Sequence, residues 1–73
     1  MLGTLLREFR KEKRVPIDEV AAACGVSEVA IFTYESGTRM PQAKTIIKLA
    51  KVYGVPVSCL MDALEYDEEK KQA

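Results

Sequence analysis

Apolar residues at helical spacing limit the fold of this sequence more than any other feature. Leu2, Leu5, Leu6 and Phe9 stand at positions i, i+3, i+4 and i+7, so a helix would carry all four on one face. Four later stripes follow this pattern: Ile17, Val20, Ala21 and Cys24; Ala30, Ile31 and Tyr34; Ile46, Leu49, Ala50 and Tyr53; and Val57, Leu60, Met61 and Leu64. No segment alternates as a strand does. The sequence therefore predicts a compact all-α domain of five short helices.

Glycine and proline mark the expected ends of these helices. Pro16 disfavours continuation of the first helix and can sit in the first turn of the second. Gly37 and Gly54 are well placed as left-handed stops of the third and fourth helices. The link Gly25-Val26-Ser27 joins the second and third helices, with Gly25 as a stop and Ser27 as an N-cap. Two short helices joined by so tight a turn form a helix-turn-helix motif.

The net charge of zero divides unevenly along the chain. Residues 1–61 hold nine Lys or Arg against six acids, which gives +3, and residues 62–73 hold five acids against two lysines, which gives −3. The prediction is a helical domain over residues 1–65, followed by a polar, flexible tail over residues 66–73. The positive charge of residues 1–61 indicates a polyanionic partner. The indication is small, because dedicated DNA-binding domains are usually more basic.

Several functional classes find no support in the residues. No apolar run approaches the roughly 18 residues of a membrane span, and the charged start does not match a signal peptide. The chain has no histidine, and we find no catalytic set and no phosphate-cradling glycine loop, so no metal, no cofactor and no enzymatic activity are expected. Cys24 and Cys59 fall in apolar helical patterns, which favours small thiols in a reducing cytoplasm over a disulfide.

Four segments together resemble the Cro/phage-repressor (XRE-type) helix-turn-helix family. They are "LREFRKEK", "DEVA", "CGVSEVAIFTYESGTRMP" and "TIIKLAKVYGVPVSCLM", and the similarity extends from about Leu2 to Leu64. The ordered set that carries it is Ala21, Gly25, Val26, Ser27, Ile31, Tyr34, Glu35, Gly37, Pro41, Leu49, Ala50, Gly54, Val55 and Leu60. The resemblance implies a lambda-repressor-like domain, with the helix-turn-helix at helices 2 and 3, that places the third helix in the DNA major groove.

The resemblance also implies a role for particular residues. Expected base contacts are Glu28, Val29, Phe32 and Thr33. Expected phosphate contacts are Ile17, Ser27, Ser36, Thr38, Arg39 and Lys44. Arg10 and Glu35 match a pair that often bridges helix 1 to the end of helix 3 in this family, although each could instead be a solvated surface charge.

The departures from the family pattern fall on the surface expected to meet DNA. The second helix usually opens with Ser or Thr followed by Gln, and here Pro16 and Ile17 stand there. Position 28 is often Arg or Gln and is Glu28 here, while position 33 is often Lys or Arg and is Thr33 here. Such a helix could read thymine methyl groups and one cytosine amino group, with few polar contacts.

Two functions therefore stay open. The first is a sequence-specific transcriptional regulator, most simply a repressor, that is located in the cytoplasm. It would bind double-stranded DNA at inverted repeats as a homodimer. Its expected dimer surface is Met61, Leu64 and Tyr66. The second is a protein-binding accessory or antirepressor-like module whose apolar face is Ile17, Val29 and Phe32. Ile17 could equally belong to the core, because it stands three residues before Val20.

Overall fold

The computed structural model describes residues 1–72, and the side chains of residues 1–70. All regular structure in this part of the chain is helical: α1 (Leu2–Lys13), α2 (Ile17–Cys24), α3 (Glu28–Ser36), α4 (Ala43–Tyr53) and α5 (Val57–Gln72). The predicted all-α architecture of five helices is confirmed. None of the described helices is long and apolar enough to cross a membrane.

The core is built from the apolar stripes that the spacing predicts. Its buried members are Leu2, Leu6, Val20, Ala21, Cys24, Ile31, Tyr34, Ile46, Leu49, Ala50, Tyr53, Leu60 and Ala63. Thr45 and Ala63 are buried although neither belongs to a predicted stripe. Val57, which does belong to one, is 36% exposed. A core drawn from all five helices fixes α3 on the body of the domain, because most helical stability in proteins comes from such packing.

The boundaries of α1 and α2 differ in two respects from the sequence prediction. Gly25 ends α2 with φ 69° and ψ 32°, the left-handed conformation expected there. Arg14 ends α1 in the same conformation, with φ 55° and ψ 43°, before Pro16 is reached. Pro16 is itself the N-cap of α2 rather than a residue of its first turn, because its ψ of 151° is extended. A non-glycine left-handed residue carries no sequence signal, so Arg14 was not expected in this role.

The sequence predicts a flexible tail from residue 66, and in the structure residues 66–72 continue α5 as an extension of that helix. Asp67 explains part of this extension. Its Oδ2 accepts a hydrogen bond from the Leu2 amide at 2.9 Å, and its Oδ1 lies 3.0 Å from the amino group of Met1. The first amides of a helix have no intrahelical partners and carry partial positive charge, so a carboxylate stabilises them. Asp67 therefore ties the end of α5 to the start of α1. Residue 73 lies outside the described residues.

Candidate nucleic-acid interface

The exposed side of α3 is a continuous face. Glu28, Val29, Phe32 and Ser36 are exposed and Thr33 is half-buried, whereas Ile31 and Tyr34 lie in the core. At 3.6 residues per turn, the five outward positions cover an arc of about 140°. Val29 is 69% exposed and Phe32 55%, which is unusual for large apolar side chains. The residues expected to contact bases therefore share one surface.

Ser27 sets the start of this helix. Its backbone is extended, with φ −78° and ψ 160°, and its Oγ accepts a hydrogen bond from the Ala30 amide at 3.1 Å. Ser27 is therefore the N-cap of α3, as the sequence predicts. Because Oγ acts as acceptor in this bond, its own hydrogen remains able to donate outward.

Two contacts between α1 and α3 fix the angle at which α3 is presented. The Arg10 Nε donates to Glu35 Oε2 at 2.7 Å and its Nη2 donates to Glu35 Oε1 at 3.1 Å, which makes a bidentate pair. The hydrogen bond to Glu35 raises the pKa of Arg10 above its ordinary value. At Gly3, a β-carbon would lie 2.5 Å from the Glu35 carbonyl oxygen and 2.6 Å from that of Tyr34. Only glycine allows the two backbones so close.

A chain of hydrogen bonds joins the hydroxyl groups at the end of α3. Thr33 Oγ1 donates to the Ala30 carbonyl at 2.7 Å, and Ser36 Oγ donates to the Thr33 carbonyl at 3.2 Å. Ser36 Oγ and Thr38 Oγ1 are 2.9 Å apart. A hydroxyl has one hydrogen, so with Ser36 donating to Thr33, Thr38 is the donor to Ser36. All three hydroxyl hydrogens are then bonded within the protein, a feature that the sequence does not reveal.

Three cationic side chains line a groove near the start of α3. Arg39, Lys44 and Lys48 line one groove of about 390 Å³ together with the turn residues Gly25 and Val26, which immediately precede α3. Lys48 was not among the predicted contacts, because it is a lone charge on α4 with no motif around it.

A fourth cation lies beside the other end of the helix. Arg7 lines a shallow hollow with Phe32 and Ser36. Arg7 was not among the predicted contacts, because the approach of α1 to α3 could not be read from the sequence. The exposed apolar side of α3 is thus bordered by positive charge.

Ile17 belongs only partly to the predicted apolar face of Ile17, Val29 and Phe32. It is half-buried and packs against the core, so part of its surface completes the stripe of α2. Val29 and Phe32 are left as the strongly exposed apolar pair of the region. Ile17 has no polar side chain, so its only possible phosphate donor is its amide, which as the first of α2 lacks an intrahelical partner.

The three residues expected at a dimer surface differ in exposure. Met61 and Leu64 are half-buried and pack against the core, whereas Tyr66 is 46% exposed. The Lys70 ammonium lies 5.6 Å from the centre of the Tyr66 ring. Only Tyr66 of these three offers a large free apolar surface.

Comparison with known proteins agrees with the helix-turn-helix geometry of α2 and α3. A family model described as helix-turn-helix (HTH_3) matches residues 6–58. The transcriptional repressor RstR of the cryptic phage CTXphi, from Vibrio cholerae, is 37% identical over 71 residues, or 97% of this chain and 64% of RstR. The HTH-type transcriptional repressor RghR of Bacillus subtilis is 36% identical over 72 residues, or 97% of this chain and 53% of RghR.

A shorter phage protein is matched over more of its length. The ImmF control region 10 kDa protein of Bacillus phage phi105 is 32% identical over 69 residues, or 93% of this chain and 77% of that protein. This chain spans only 64% and 53% of RstR and RghR. No solved structure matches it. The match over most of the chain, with the helix-turn-helix at α2 and α3, places this chain in the Cro/phage-repressor (XRE-type) helix-turn-helix family.

Proposed function

We propose that this chain is a sequence-specific DNA-binding domain of a transcriptional repressor and acts by binding rather than by catalysis. The observation that carries the proposal is the exposed face of α3, which follows a helix-turn-helix link and is bordered by Arg7, Arg39 and Lys44. A helix presented in this way fits the DNA major groove, with its early residues at base edges. Relatives named as transcriptional repressors support the proposal.

The first candidates for phosphate contacts are groups whose hydrogen-bond donors have no partner within the described part of the chain. Ser27 offers its hydroxyl hydrogen, Arg39 and Lys44 offer cations, and the first amides of α3 have no intrahelical partners. Thr38 can serve only if its hydrogen bond to Ser36 opens, and Ser36 can serve only if its hydrogen bond to the Thr33 carbonyl opens. The amide of Ile17 is a further donor. Glu28, Val29, Phe32 and Thr33 face the bases.

A dimer is the natural form for such a domain. One helix of this size covers few base pairs, so two copies on an inverted repeat, with half-sites about 34 Å apart, would supply the required affinity. Tyr66, with the exposed edges of Met61 and Leu64, is the proposed contact between copies. Sedimentation at micromolar concentration, with and without DNA, tests this. A monomer under both conditions contradicts it.

Binding of a second protein is the alternative function, and Val29 and Phe32 favour it because they are so exposed. Salt separates the two functions. Binding of the purified protein to random duplex DNA is measured by fluorescence anisotropy at two salt concentrations. A DNA-binding domain that neutralises several phosphates weakens steeply as salt rises, whereas an apolar interface changes little. Absence of binding at tens of micromolar in low salt contradicts the proposal and favours the alternative, a cytoplasmic protein-binding module.

A further inference from the structure

We propose that α3 selects thymine methyl groups and the amino groups of cytosine or adenine, and that it rejects guanine at the bases it contacts. This inference rests on the proposed function and adds the class of base edges that the helix accepts. It follows from an inventory of the hydrogen-bond donors and acceptors on the exposed face of α3.

The outward side chains of α3 present acceptors and apolar surface. None of them is Arg, Lys, Gln or Asn. Glu28 as a carboxylate accepts hydrogen bonds and cannot donate. Val29 and Phe32 have no polar atoms in their side chains. Any donor on this face would have to come from the hydroxyl groups of Thr33 and Ser36.

Both of those hydroxyl groups already donate within the helix. Thr33 Oγ1 lies 2.7 Å from the Ala30 carbonyl oxygen, and Ser36 Oγ lies 3.2 Å from that of Thr33. The lone pairs of Thr33 Oγ1 remain, so toward a base it acts as an acceptor. The exposed face of α3 is consequently free of side-chain donors in this conformation.

The base edges of the major groove then divide into two classes. Guanine presents only the acceptors O6 and N7 there, and the usual contact to it is a bidentate Arg or Lys. Cytosine presents the N4 amino donor, adenine presents the N6 amino donor beside the N7 acceptor, and thymine presents a methyl group beside the O4 acceptor, so each of these three offers a group that α3 can match. Glu28 and Thr33 match the amino groups, and Val29 and Phe32 match the methyl group. Guanine facing this helix would leave its acceptors without partners, which is unfavourable in a closed interface.

Arg7 is the one nearby donor that could weaken this conclusion. It lies on α1 and lines the hollow beside Phe32 and Ser36. Because its side chain lies at the border of the α3 face, we assign it to the phosphate backbone. The experiment therefore includes the variant Arg7→Ala.

The experiment begins with selection of duplexes from a random-sequence pool by the complete chain. The selection is repeated with Glu28→Gln and Thr33→Val, and positions whose preference changes are assigned to α3. We expect guanine to be depleted at those positions on the strand that carries the contacted bases with the parent protein, and to become tolerated there with Glu28→Gln, because an amide can donate. Thymine in the selected duplex is then replaced by deoxyuridine, which removes the methyl group and leaves every phosphate in place.

Each contacted methyl group should contribute about fourfold in affinity, from the transfer free energy of one buried methyl-sized group. Phe32→Ala should lower the ratio between the affinities for thymine and deoxyuridine duplexes, and Phe32→Ala combined with Val29→Ala should bring it close to one. Guanine enrichment at the assigned positions, or equal affinity for the two duplexes, overturns the inference while the proposed function stands. Guanine enrichment that disappears with Arg7→Ala overturns it also, since Arg7 would then be reading bases. No salt-dependent binding to any duplex overturns the proposed function itself, and the inference with it.

Discussion

Arg10 and Glu35 form a bidentate ion pair, at 2.7 and 3.1 Å, between the last turn of α1 and the end of α3. The two side chains are only 18% and 6% exposed, so loss of one partner leaves a charge with little solvent around it. We expect Arg10→Met to lower the free energy of unfolding by about 3 kcal/mol. Urea unfolding of the parent and the variant measures this difference in the free energy of unfolding. Arg10→Met combined with Glu35→Leu should recover much of the loss, and an additive double variant would contradict a direct interaction.

Gly3→Ala should destabilise the domain, although the same change in an exposed helix usually stabilises by about 1 kcal/mol. The added β-carbon would lie 2.5 Å from the Glu35 carbonyl oxygen and 2.6 Å from that of Tyr34. Both atoms belong to the backbone, so α1 and α3 would have to separate, at about 1–3 kcal/mol. Thr4→Ala, at an exposed position of the same helix, is the control. Equal stability of Gly3→Ala and the parent would show that the two helices can move apart freely.

Much of the fold could be predicted because its signals are local. Apolar spacing and glycine stops identified the five helices, and Ser27 was recognised as the cap of α3 from its position alone. The extension of α5 was missed because it depends on Asp67 reaching the first turn of α1, a contact between residues 65 positions apart. The close approach at Gly3 was missed for the same reason.

The outward side chains of α3 could be predicted, but their hydrogen bonds and the cations beside them could not. Periodicity put Val29, Phe32 and Thr33 on the outer side of α3. It could not show that the Thr33 hydroxyl donates to its own helix, since threonine in a helix can also point that group outward. Nor could it bring Arg7 or Lys48 to the borders of the face, because those positions depend on how α1 and α4 pack.

Tyr53 should make the domain sensitive to alkaline pH. Its side chain is 1% exposed, and its hydroxyl has no hydrogen-bond partner among the described residues. Burial, with a smaller contribution from the charge of Glu35, raises the pKa of Tyr53 from 10.0 to about 12. The folded state therefore holds this proton more tightly than the unfolded state does. Its contribution to stability is complete below pH 10 and is lost as pH rises toward about 12.

A shift of this size corresponds to about 2–3 kcal/mol. Urea unfolding of the parent and Tyr53→Phe, at pH 7 and at several values above pH 10, isolates the effect. The variant should match the parent at pH 7 and fall less at high pH. Burial also raises the pKa of Cys24, and the charge of that thiol makes the smallest contribution to the shift at Tyr53, so it changes the difference between the two proteins little. Parallel curves for the two proteins would contradict the assignment to Tyr53.

Ser27 has two separable roles, as the cap of α3 and as a proposed phosphate donor. Ser27→Ala removes the acceptor for the Ala30 amide and should lower stability by about 1 kcal/mol. Ser27→Asp keeps an acceptor there, so its stability should stay close to that of the parent. Its negative charge faces the phosphates, however, and should weaken duplex binding in low salt. A Ser27→Asp variant that folds and binds as the parent does would exclude a phosphate contact at this position.

Lys44 and Lys51 allow a matched test of the phosphate contacts, because both are exposed lysines on α4. Lys44 lines the groove beside the helix-turn-helix link, and Lys51 does not. Each phosphate neutralised contributes roughly one unit to the slope of log affinity against log salt. Lys44→Ala should therefore reduce that slope by about 1 and weaken binding to all duplex sequences alike, whereas Lys51→Ala should leave the slope unchanged. Anisotropy titrations at several salt concentrations measure both slopes, and thermal unfolding establishes that both variants fold. Equal slopes for the two variants would place the DNA away from the groove at the start of α4.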